Sequence, residues 1–261
     1  MDNIKTDEEI AIMRENALLV SRTLAEVAKY IEQGVSTLKL DKVAEQFIRD
    51  NGAIPGFLGY DGFPNSLCIS VNDVVVHGIP SGYCLQEGDI VSIDCGTKMK
   101  GFYGDSAYTF AVGRISPEAS RLLKETKESL FKGIAQAIHG NRMGDISSAI
   151  QTHVERSGYS VVREMVGHAI GRKMHERPDV PNYGRRGQGP KLLSGMVICI
   201  EPMINMGKKG IRHDRRDGWT VRTVDGSLSA HYELTVAVGR DKADVLSTFE
   251  FVEEVLNNKK N

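Results

Sequence analysis

The stretch that decides the fold of this chain is residues 88–105, GDIVSIDCGTKMKGFYGD. Its first half alternates large apolar residues with small or polar ones, and a turn follows at Met99-Lys100-Gly101, so the stretch predicts a β-hairpin. If the turn is tight, Asp94 and Asp105 lie directly opposite each other. Two carboxylates so placed are separated by about 4.5 to 5.5 Å at Cβ and repel each other.

The two aspartates of this hairpin admit two interpretations. A divalent cation converts their repulsion into binding, because carboxylates are good ligands of hard and borderline metals. The alternative is a pair of solvated aspartates with no ligand, and the hairpin by itself favours that alternative. The rest of the chain must decide between the two.

The composition describes an ordinary globular chain without a large surface for polyanions. Its 261 residues are 41% hydrophobic and 26% charged, which suits one large or two small domains with a sizeable core. The net charge of -1 argues against a stable nucleic-acid or membrane partner, since both need a basic excess. Residues 1–5 lead into a charged amphipathic pattern rather than a signal peptide, and no apolar run is long enough to span a membrane. We therefore expect a cytoplasmic protein.

The cysteines do not form a metal or redox motif. Cys68, Cys84, Cys95 and Cys199 lie far apart, each in or next to an apolar, strand-like segment, and none belongs to a Cys-x-x-Cys pair. In a reducing compartment such residues are most often small buried thiols. The sequence therefore predicts buried, free cysteines.

Helices are predicted on both sides of the central hairpin from their start signals. Residues 6–9, TDEE, form a capping box, and a proline follows Ser116 at the first helical position. The predicted starts, in chain order, are Thr6, Thr37, Ser116 and Asp145. Just before the central hairpin, residues 67–71 and 74–76 predict a second hairpin around Asn72-Asp73.

The order of helices and strands occurs twice along the chain. The interval from Gly34 to Gly52 is as long as that from Gly140 to Gly158, and each holds an amphipathic helix. The strand-like segments also repeat, the matching pairs being 88–94 with 195–201 and 109–114 with 235–240. This pattern predicts a duplicated α-α-β unit. We expect an α+β fold of one catalytic domain, 1–261, whose pseudo-twofold halves, about 1–114 and 115–261, share a curved antiparallel sheet with outer helices.

The second half supplies further candidate metal ligands. The duplication brings Glu201 and Glu233 to positions like those of the two aspartates, and the glycine-bracketed segment 166–178 carries His168 and His175. A histidine alone is more often structural. Four carboxylates and one imidazole in a single pocket, however, need about two divalent cations for charge balance, some 3.5 to 4 Å apart. Such oxygen-rich ligation suits Mn, Fe(II), Co or Zn, and the reaction class that follows is metal-assisted hydrolysis.

These residues and the phrases around them resemble the type I methionine aminopeptidases over essentially the whole chain. The phrases are GYDGFP at 59–64, CISVN at 68–72, VHGIP at 76–80, SID at 92–94, GDS at 104–106 and IEPM at 200–203. The resemblance implies the pita-bread fold. It also implies removal of the initiator methionine from nascent chains whose second residue is small and uncharged, by a metal-activated bridging water.

The resemblance also implies a role for each site residue. Asp94, Asp105, His168, Glu201 and Glu233 are expected to bind two divalent ions, and Glu201 is expected to act as general base as well. His175 is expected to polarise the scissile carbonyl and His77 to lie near the substrate amide. The expected methionine pocket consists of Phe57, Tyr60, Phe63, Cys68 and Trp219. From the residues alone, the aromatic loop 53–66 is equally a packed lid or a pocket wall.

Some positions depart from the family pattern, and rival functions stay open. The family often has Gly at Ala169, Phe at Met174 and His at Leu234, none of which is an expected ligand. The charged segment 207–217 favours a solvated loop over a contact with ribosomal RNA. We expect a monomer that acts on N-terminal methionine peptides and meets the ribosome at most transiently. The alternatives are an aminopeptidase P or prolidase and a non-catalytic binding protein of the same fold.

Overall fold

The computed structural model describes residues 4–259. Residues 1–3 and 260–261, the two ends of the predicted domain 1–261, lie outside the described residues, as does the start of the N-terminal stretch examined for a signal peptide. Within residues 4–259, no helix combines the length and the apolar composition that a membrane span requires.

The described chain contains α-helices, β-strands and a short 3-10 helix at Tyr60–Gly62. The α-helices are α1 (Asp7–Ala28), α2 (Thr37–Asp50), α3 (Pro117–Ile134), α4 (Met143–Arg156) and α5 (Glu250–Asn258). The strands are β1 (Ile54–Pro55), β2 (Leu67–Val71), β3 (Val74–Val76), β4 (Ile90–Met99), β5 (Phe102–Ala111), β6 (Ser160–Val161), β7 (Gly167–Ala169), β8 (Glu176–Val180), β9 (Val197–Ile200), β10 (Met203–Asn205), β11 (Ile211–His213), β12 (Val221–Thr223), β13 (Ser229–His231), β14 (Glu233–Ala237) and β15 (Asp244–Val245).

A nine-stranded antiparallel sheet forms the centre of the molecule. Its strand order is β1-β4-β5-β14-β9-β7-β8, and β2 and β15 pair with β4 and β14. Two three-stranded sheets, β13-β10-β6 and β11-β12-β3, complete the strand pairing of the described chain. Helix α1 packs on α2 and on β4 and β5, while α3 packs on α4 and on β9 and β14. Each half of the sheet thus carries its own helix pair, and the predicted α+β architecture is confirmed.

The helix starts follow the predicted caps, with one displacement. Thr6 and Glu9 form the reciprocal capping box of α1, and the Ser116 side chain accepts from the backbone N–H of Ala119 at the start of α3. Helix α4 begins at Met143 rather than at Asp145. The Asp145 carboxylate instead accepts from the backbone N–H of the preceding cap residue, which stabilises the positive end of the helix.

The central hairpin is present, but its register differs from the prediction. Asp94 pairs with Ala107 and Gly96 with Asp105, so the two aspartates are diagonal neighbours on one face rather than directly opposite. The turn consists of Lys100 and Gly101, with φ of 50° and 82°. A two-residue turn of this kind needs positive φ at both positions, and glycine adopts it without strain at the second. The predicted opposition would have placed Met99 in that conformation.

Strands β2 and β3 do not form the predicted hairpin, because they lie in different sheets. β2 pairs with β4, whereas β3 pairs with β12. Asn72, with φ of 54°, turns the chain between them. Its side chain donates to Asp89 and accepts from the backbone N–H of Ile90, so the end of β2 is tied to the start of β4 rather than to β3.

The duplication is visible in matched backbone hydrogen bonds. In each half, a glycine after the first helix donates to a leucine carbonyl, and a glycine before the central strand donates to a valine carbonyl near the end of the returning strand. The bonds are Gly34 to Leu85 and Gly140 to Leu192, then Gly88 to Val112 and Gly195 to Val238. All of these donors have φ between 88° and 95°. Equivalent turns therefore support equivalent strands, and the predicted pseudo-twofold arrangement is confirmed.

The cysteine prediction is correct for the central strands and wrong for Cys84. Cys68, Cys95 and Cys199 are buried free thiols, and burial raises the pKa of each well above its ordinary value. Cys84 is free but exposed. It lies in the connection before β4, where an isolated bridge to Ser36 is its single strand-type pairing within residues 4–259.

Asn16 connects α1 to the central hairpin, which gives the first testable prediction. Its buried side chain donates to the carbonyls of Thr97 and Phe102 and accepts from the Thr97 hydroxyl. We expect Asn16→Ala to lower the free energy of unfolding by about 1 to 3 kcal/mol, because buried polar groups lose their partners. Urea denaturation measures the change. Gln46→Ala, which removes an exposed bond to Asp50, is the control; an equal effect of both variants would contradict the prediction.

Candidate active site

The predicted site residues meet in one cavity of about 310 Å³ at the centre of the large sheet. Every residue predicted to bind metal, substrate or the reacting carbonyl lines this cavity. The lining from the first half is Phe57, Tyr60, Asp61, Phe63, Cys68, Val76, His77, Asp94 and Asp105. The lining from the second half is Glu164, Met165, Val166, His168, His175, Glu201, Met203, Trp219 and Glu233.

Strand pairing brings the four carboxylates together. Asp94 and Asp105 lie on β4 and β5, Glu233 begins β14, and Glu201 directly follows β9. β14 pairs with β5 on one side and with β9 on the other, and Glu233 is opposite Ala107. The sheet register therefore fixes all four side chains around one point. Each half of the chain contributes two of them.

His168 on β7 completes this group with a nitrogen. Its Nε2 lies 3.8 Å from Asp105 Oδ2 and 3.6 Å from Glu201 Oε1. Nδ1 lies 3.1 Å from the carbonyl oxygen of Ala169, which can only accept, so Nδ1 donates and Nε2 presents its lone pair to the carboxylates. Burial lowers the pKa of His168 to about 3, so the imidazole is neutral at pH 7. A neutral imidazole with a free Nε2 is the form that binds metal ions.

The donors fit a divalent cation. Among the described residues, Asp94 Oδ1, Asp105 Oδ1 and Glu233 Oε1 are buried without a hydrogen-bond partner. Burial raises the pKa of Asp105 well above its ordinary value, and the neighbouring Glu233 raises it further. The pKa of Glu201 is raised for the same two reasons, burial and a neighbouring carboxylate, here Asp94. Buried anions with free lone pairs are strongly destabilising unless a cation binds them.

An apolar wall faces the carboxylates. Phe63 and Trp219 pack edge to face with ring centroids 5.2 Å apart, and Phe57 and Cys68 lie in the same buried cluster. Met174, one of the departures from the family pattern, is fully buried in that cluster, behind the surface of the cavity. The loop 53–66 thus contributes to the wall of the cavity, which is one of the two alternatives left open above.

The two histidines that are not expected ligands lie between this wall and the carboxylates. The hydroxyl of Tyr60 is 2.8 Å from Nδ1 of His175, and the His175 and His168 rings are in edge-to-face contact. His77 packs edge to face on Trp219. Burial lowers the pKa of both histidines, that of His77 to about 4. Both side chains are therefore neutral at pH 7.

One buried histidine of the centre was not found from the sequence. His231 Nε2 lies 3.4 Å from Glu201 Oε2. The residue stands two positions before Glu233, and side chains two apart in extended chain share a face. This spacing is the signal that would have found it. Sequence analysis also assigned no role to Glu164, Met165, Val166 and Met203, which line the cavity. Of these, Val166 begins the segment 166–178 and Met203 ends the IEPM phrase, whereas Glu164 and Met165 belong to no motif.

Comparison with known proteins identifies the family. The model of metallopeptidase family M24 matches residues 11–240. The methionine aminopeptidase of Clostridium acetobutylicum is 53% identical over 248 residues, which cover 95% of this chain and 99% of that protein. The crystal structure of methionine aminopeptidase from Rickettsia prowazekii superposes with a TM-score of 0.94 at 40% identity, covering 95% of this chain and 100% of that one.

The chain belongs to metallopeptidase family M24, and within it to the methionine aminopeptidases. The fold is therefore the pita-bread fold that the family resemblance implied, and use of divalent metal is a property of the M24 family. A Xaa-Pro dipeptidase from Bacillus anthracis also superposes, with a TM-score of 0.76. Its identity is 22%, and this chain covers 62% of its length, so that similarity concerns the fold alone.

The buried carboxylates of an M24 centre predict an unusual pH dependence for the metal-free protein. Burial raises the pKa of Glu233 above its ordinary value of 4.5, so the folded state binds this proton more tightly than the unfolded state does. As pH rises from the ordinary towards the raised pKa, the free energy of unfolding therefore falls. We expect metal-free Glu233→Gln to melt about 2 to 4 °C above the metal-free parent at pH 7.5. This shift corresponds to an increase of about 1 kcal/mol in the free energy of unfolding.

Differential scanning calorimetry across pH 4.5 to 8 measures this difference, which should shrink towards the acid end of the range because the carboxyl of the unfolded state becomes increasingly protonated as pH approaches 4.5. Glu155→Gln, on the exposed face of α4, is the control and should show no such trend. Melting of the Glu233 variant below the parent at every pH would show that the carboxylate is not under electrostatic strain.

Proposed function

We propose that this chain removes the initiator methionine from nascent proteins whose second residue is small and uncharged. The proposal rests on two features that occur together in one cavity. An apolar, aromatic wall lies directly against four buried carboxylates and an imidazole. The preference for a small second residue rests on the likeness to the methionine aminopeptidases.

The centre is proposed to hold two divalent ions, drawn from Mn, Fe(II), Co and Zn. Their ligands are Asp94, Asp105, His168, Glu201 and Glu233, whose four carboxylates balance the charge of two such ions. When bound, the ions supply Lewis acidity that lowers the pKa of the attacking water and polarises the scissile carbonyl. The unpartnered carboxylate oxygens support this assignment.

Glu201 is proposed as the general base of the hydrolysis. Its side chain lines the same cavity as the other proposed ligands, and a carboxylate positioned beside the attacking water can act as a general base. It takes a proton from the attacking water and delivers it to the leaving amine, so the carboxylate is regenerated in each turnover. The Asn182 side chain donates to the backbone carbonyl of Glu201 and fixes the residue in place.

His175 and His77 are proposed to hold the peptide. The Tyr60 hydroxyl donates to His175 Nδ1, which leaves the Nε2 hydrogen of a neutral imidazole available for the scissile carbonyl oxygen. His77, which is neutral and packs on Trp219, is proposed to contact the substrate amide. The methionine side chain contacts Phe57, Phe63 and Trp219, and sulfur-aromatic contacts contribute about 0.3 to 1.5 kcal/mol each.

The rival functions have less support. The Xaa-Pro dipeptidase likeness is much lower in identity than the likeness to methionine aminopeptidases, 22% against 53%. A binding protein that has lost catalysis has no need of five converging donors, and all five line this cavity. We further propose a cytoplasmic monomer. The charged segment 207–217, which is not wholly a loop because it contains β11, is largely exposed, and any contact that it makes with the ribosome is proposed to be transient.

Release of free methionine from two tripeptides tests the proposal. The metal-free protein is titrated with Mn, Fe(II) or Co under anaerobic conditions and assayed on Met-Ala-Ser and Met-Lys-Ser. We expect metal-dependent cleavage of the alanine peptide alone. Absence of cleavage with every metal would contradict the proposed activity, and equal cleavage of both peptides would contradict the small-residue rule.

The same assay tests the general base. Glu201→Gln should lower kcat for Met-Ala-Ser by about 10² to 10⁴, the usual contribution of a general base. Glu155→Gln serves as the exposed control, and far-UV circular dichroism checks the fold. Retention of full turnover by the Glu201 variant would eliminate the proposed role.

Tyr60→Phe separates binding from chemistry. The phenyl ring keeps the pocket wall, while His175 loses the partner of its Nδ1. We expect kcat to fall about tenfold with KM changed less than twofold, because an oriented imidazole matters most when charge develops on the carbonyl oxygen. Tyr30→Phe, an exposed residue near the end of α1, is the control. A rise in KM at unchanged kcat would instead assign Tyr60 to the pocket wall alone.

A further inference from the structure

His231 is a buried side chain of the centre to which the proposed mechanism gives no role. It ends β13, and its backbone is fixed on both sides by Thr109, whose hydroxyl accepts from the His231 N–H and donates to its carbonyl. Only 1% of the residue is exposed. Its imidazole is therefore held rigidly against the carboxylates.

Glu201 lies between two imidazoles. Its Oε1 is 3.6 Å from His168 Nε2, and its Oε2 is 3.4 Å from His231 Nε2. A hydrogen bond between such atoms is usually about 2.9 to 3.0 Å long. Two ligands of one ion, each about 2.0 to 2.2 Å from it, are separated by about 3.4 Å in tetrahedral coordination. The contact between His231 and Glu201 thus has the spacing of two ligands of one ion.

His231 Nε2 is in the same kind of environment as the proposed oxygen ligands. Within residues 4–259, His231 Nε2 is buried without a hydrogen-bond partner, as are Asp94 Oδ1 and Glu233 Oε1. One atom each from Glu201, His231 and Glu233 lies within 4.8 Å of the other two, a spacing that one metal ion can span. Glu201 and Glu233 are thus the carboxylates that share this spacing with His231. His168 approaches Asp105 instead, at 3.8 Å.

We propose that His231 Nε2 is a sixth donor of the metal centre, bound to an ion that Glu201 and Glu233 also hold, so that each of the two ions has one imidazole ligand. This inference rests on the proposed dinuclear site. His168 serves the ion on the side of Asp105, His231 serves the other ion, and Glu201 lies between them. A second nitrogen shifts the site towards Co, Fe(II) and Zn and away from Mn, because imidazole suits those metals better than an all-oxygen shell.

Counting the imidazole ligands tests the proposal without an activity assay. The full-length protein is loaded with two equivalents of Co(II) under anaerobic conditions, and X-ray absorption spectroscopy gives the number of coordinated imidazoles. We expect two for every pair of ions in the parent protein and one in His231→Leu. Two bound ions with a single imidazole in the parent would overturn the proposal and leave the dinuclear hydrolase intact. Failure of the parent to bind any ion would contradict the proposed function itself.

Titration calorimetry with Co(II) provides the second readout. In His231→Leu we expect one of the two ions to bind at least tenfold more weakly, since loss even of a residue that only supports a ligand costs about 10 to 100-fold in metal affinity. His77→Leu is the matched control, because it removes another buried imidazole of the same cavity and should leave both affinities unchanged. His231→Gln, with a polar side chain, replaces the leucine variant if that one misfolds. Parental affinity for both ions in a folded His231 variant would overturn the proposal.

Discussion

The repulsion among four buried carboxylates is the constraint on which this structure depends. Asp94, Asp105, Glu201 and Glu233 lie in a protein interior where isolated negative charges are costly, and burial together with mutual repulsion raises the pKa of Asp105, Glu201 and Glu233. Side chains free to move would separate. They stay together because each is fixed on, or directly after, a strand of one hydrogen-bonded sheet. The folding of the rest of the chain thus holds in place a charge cluster that bound protons or cations relieve.

The duplication explains how such a cluster is assembled. Each half supplies two strands with one carboxylate each, and β14 joins the halves by pairing with β5 and with β9. The matched glycine turns at Gly88 and Gly195 set the start of the equivalent strands. The aromatic wall and the histidines are not part of the repeat. Specificity for a peptide therefore comes from the segments in which the two halves differ.

How well each structural feature could be predicted from the sequence depends on how far apart along the chain its interacting residues lie. Helix starts and the repeat were predictable because caps and glycine turns act within a few residues, as at Thr6 and Ser116. The predicted hairpin register was wrong because the turn lies one residue later than expected. Gly101 adopts positive φ without strain, and this preference, rather than the alternation of apolar residues, sets the position of the turn. The separation of β2 from β3 was not predictable from a local pattern, since it depends on the long-range bonds of Asn72. The five expected ligands were found through a whole-chain resemblance, whereas His231 matches no such motif and required its distance to Glu201.

Two departures from the family pattern are explained by features of the backbone. The bond that orients His168 is made by the carbonyl oxygen of residue 169, an atom that every amino acid carries, so Ala169 serves as well as glycine. Leu234 packs in the hydrophobic core, and its neighbour Glu233 points the other way along β14 towards the cavity. The positions of β14 that face the cavity and those that face the core can therefore change independently during evolution. A lineage can alter the core of this protein without altering the chemistry of its metal centre.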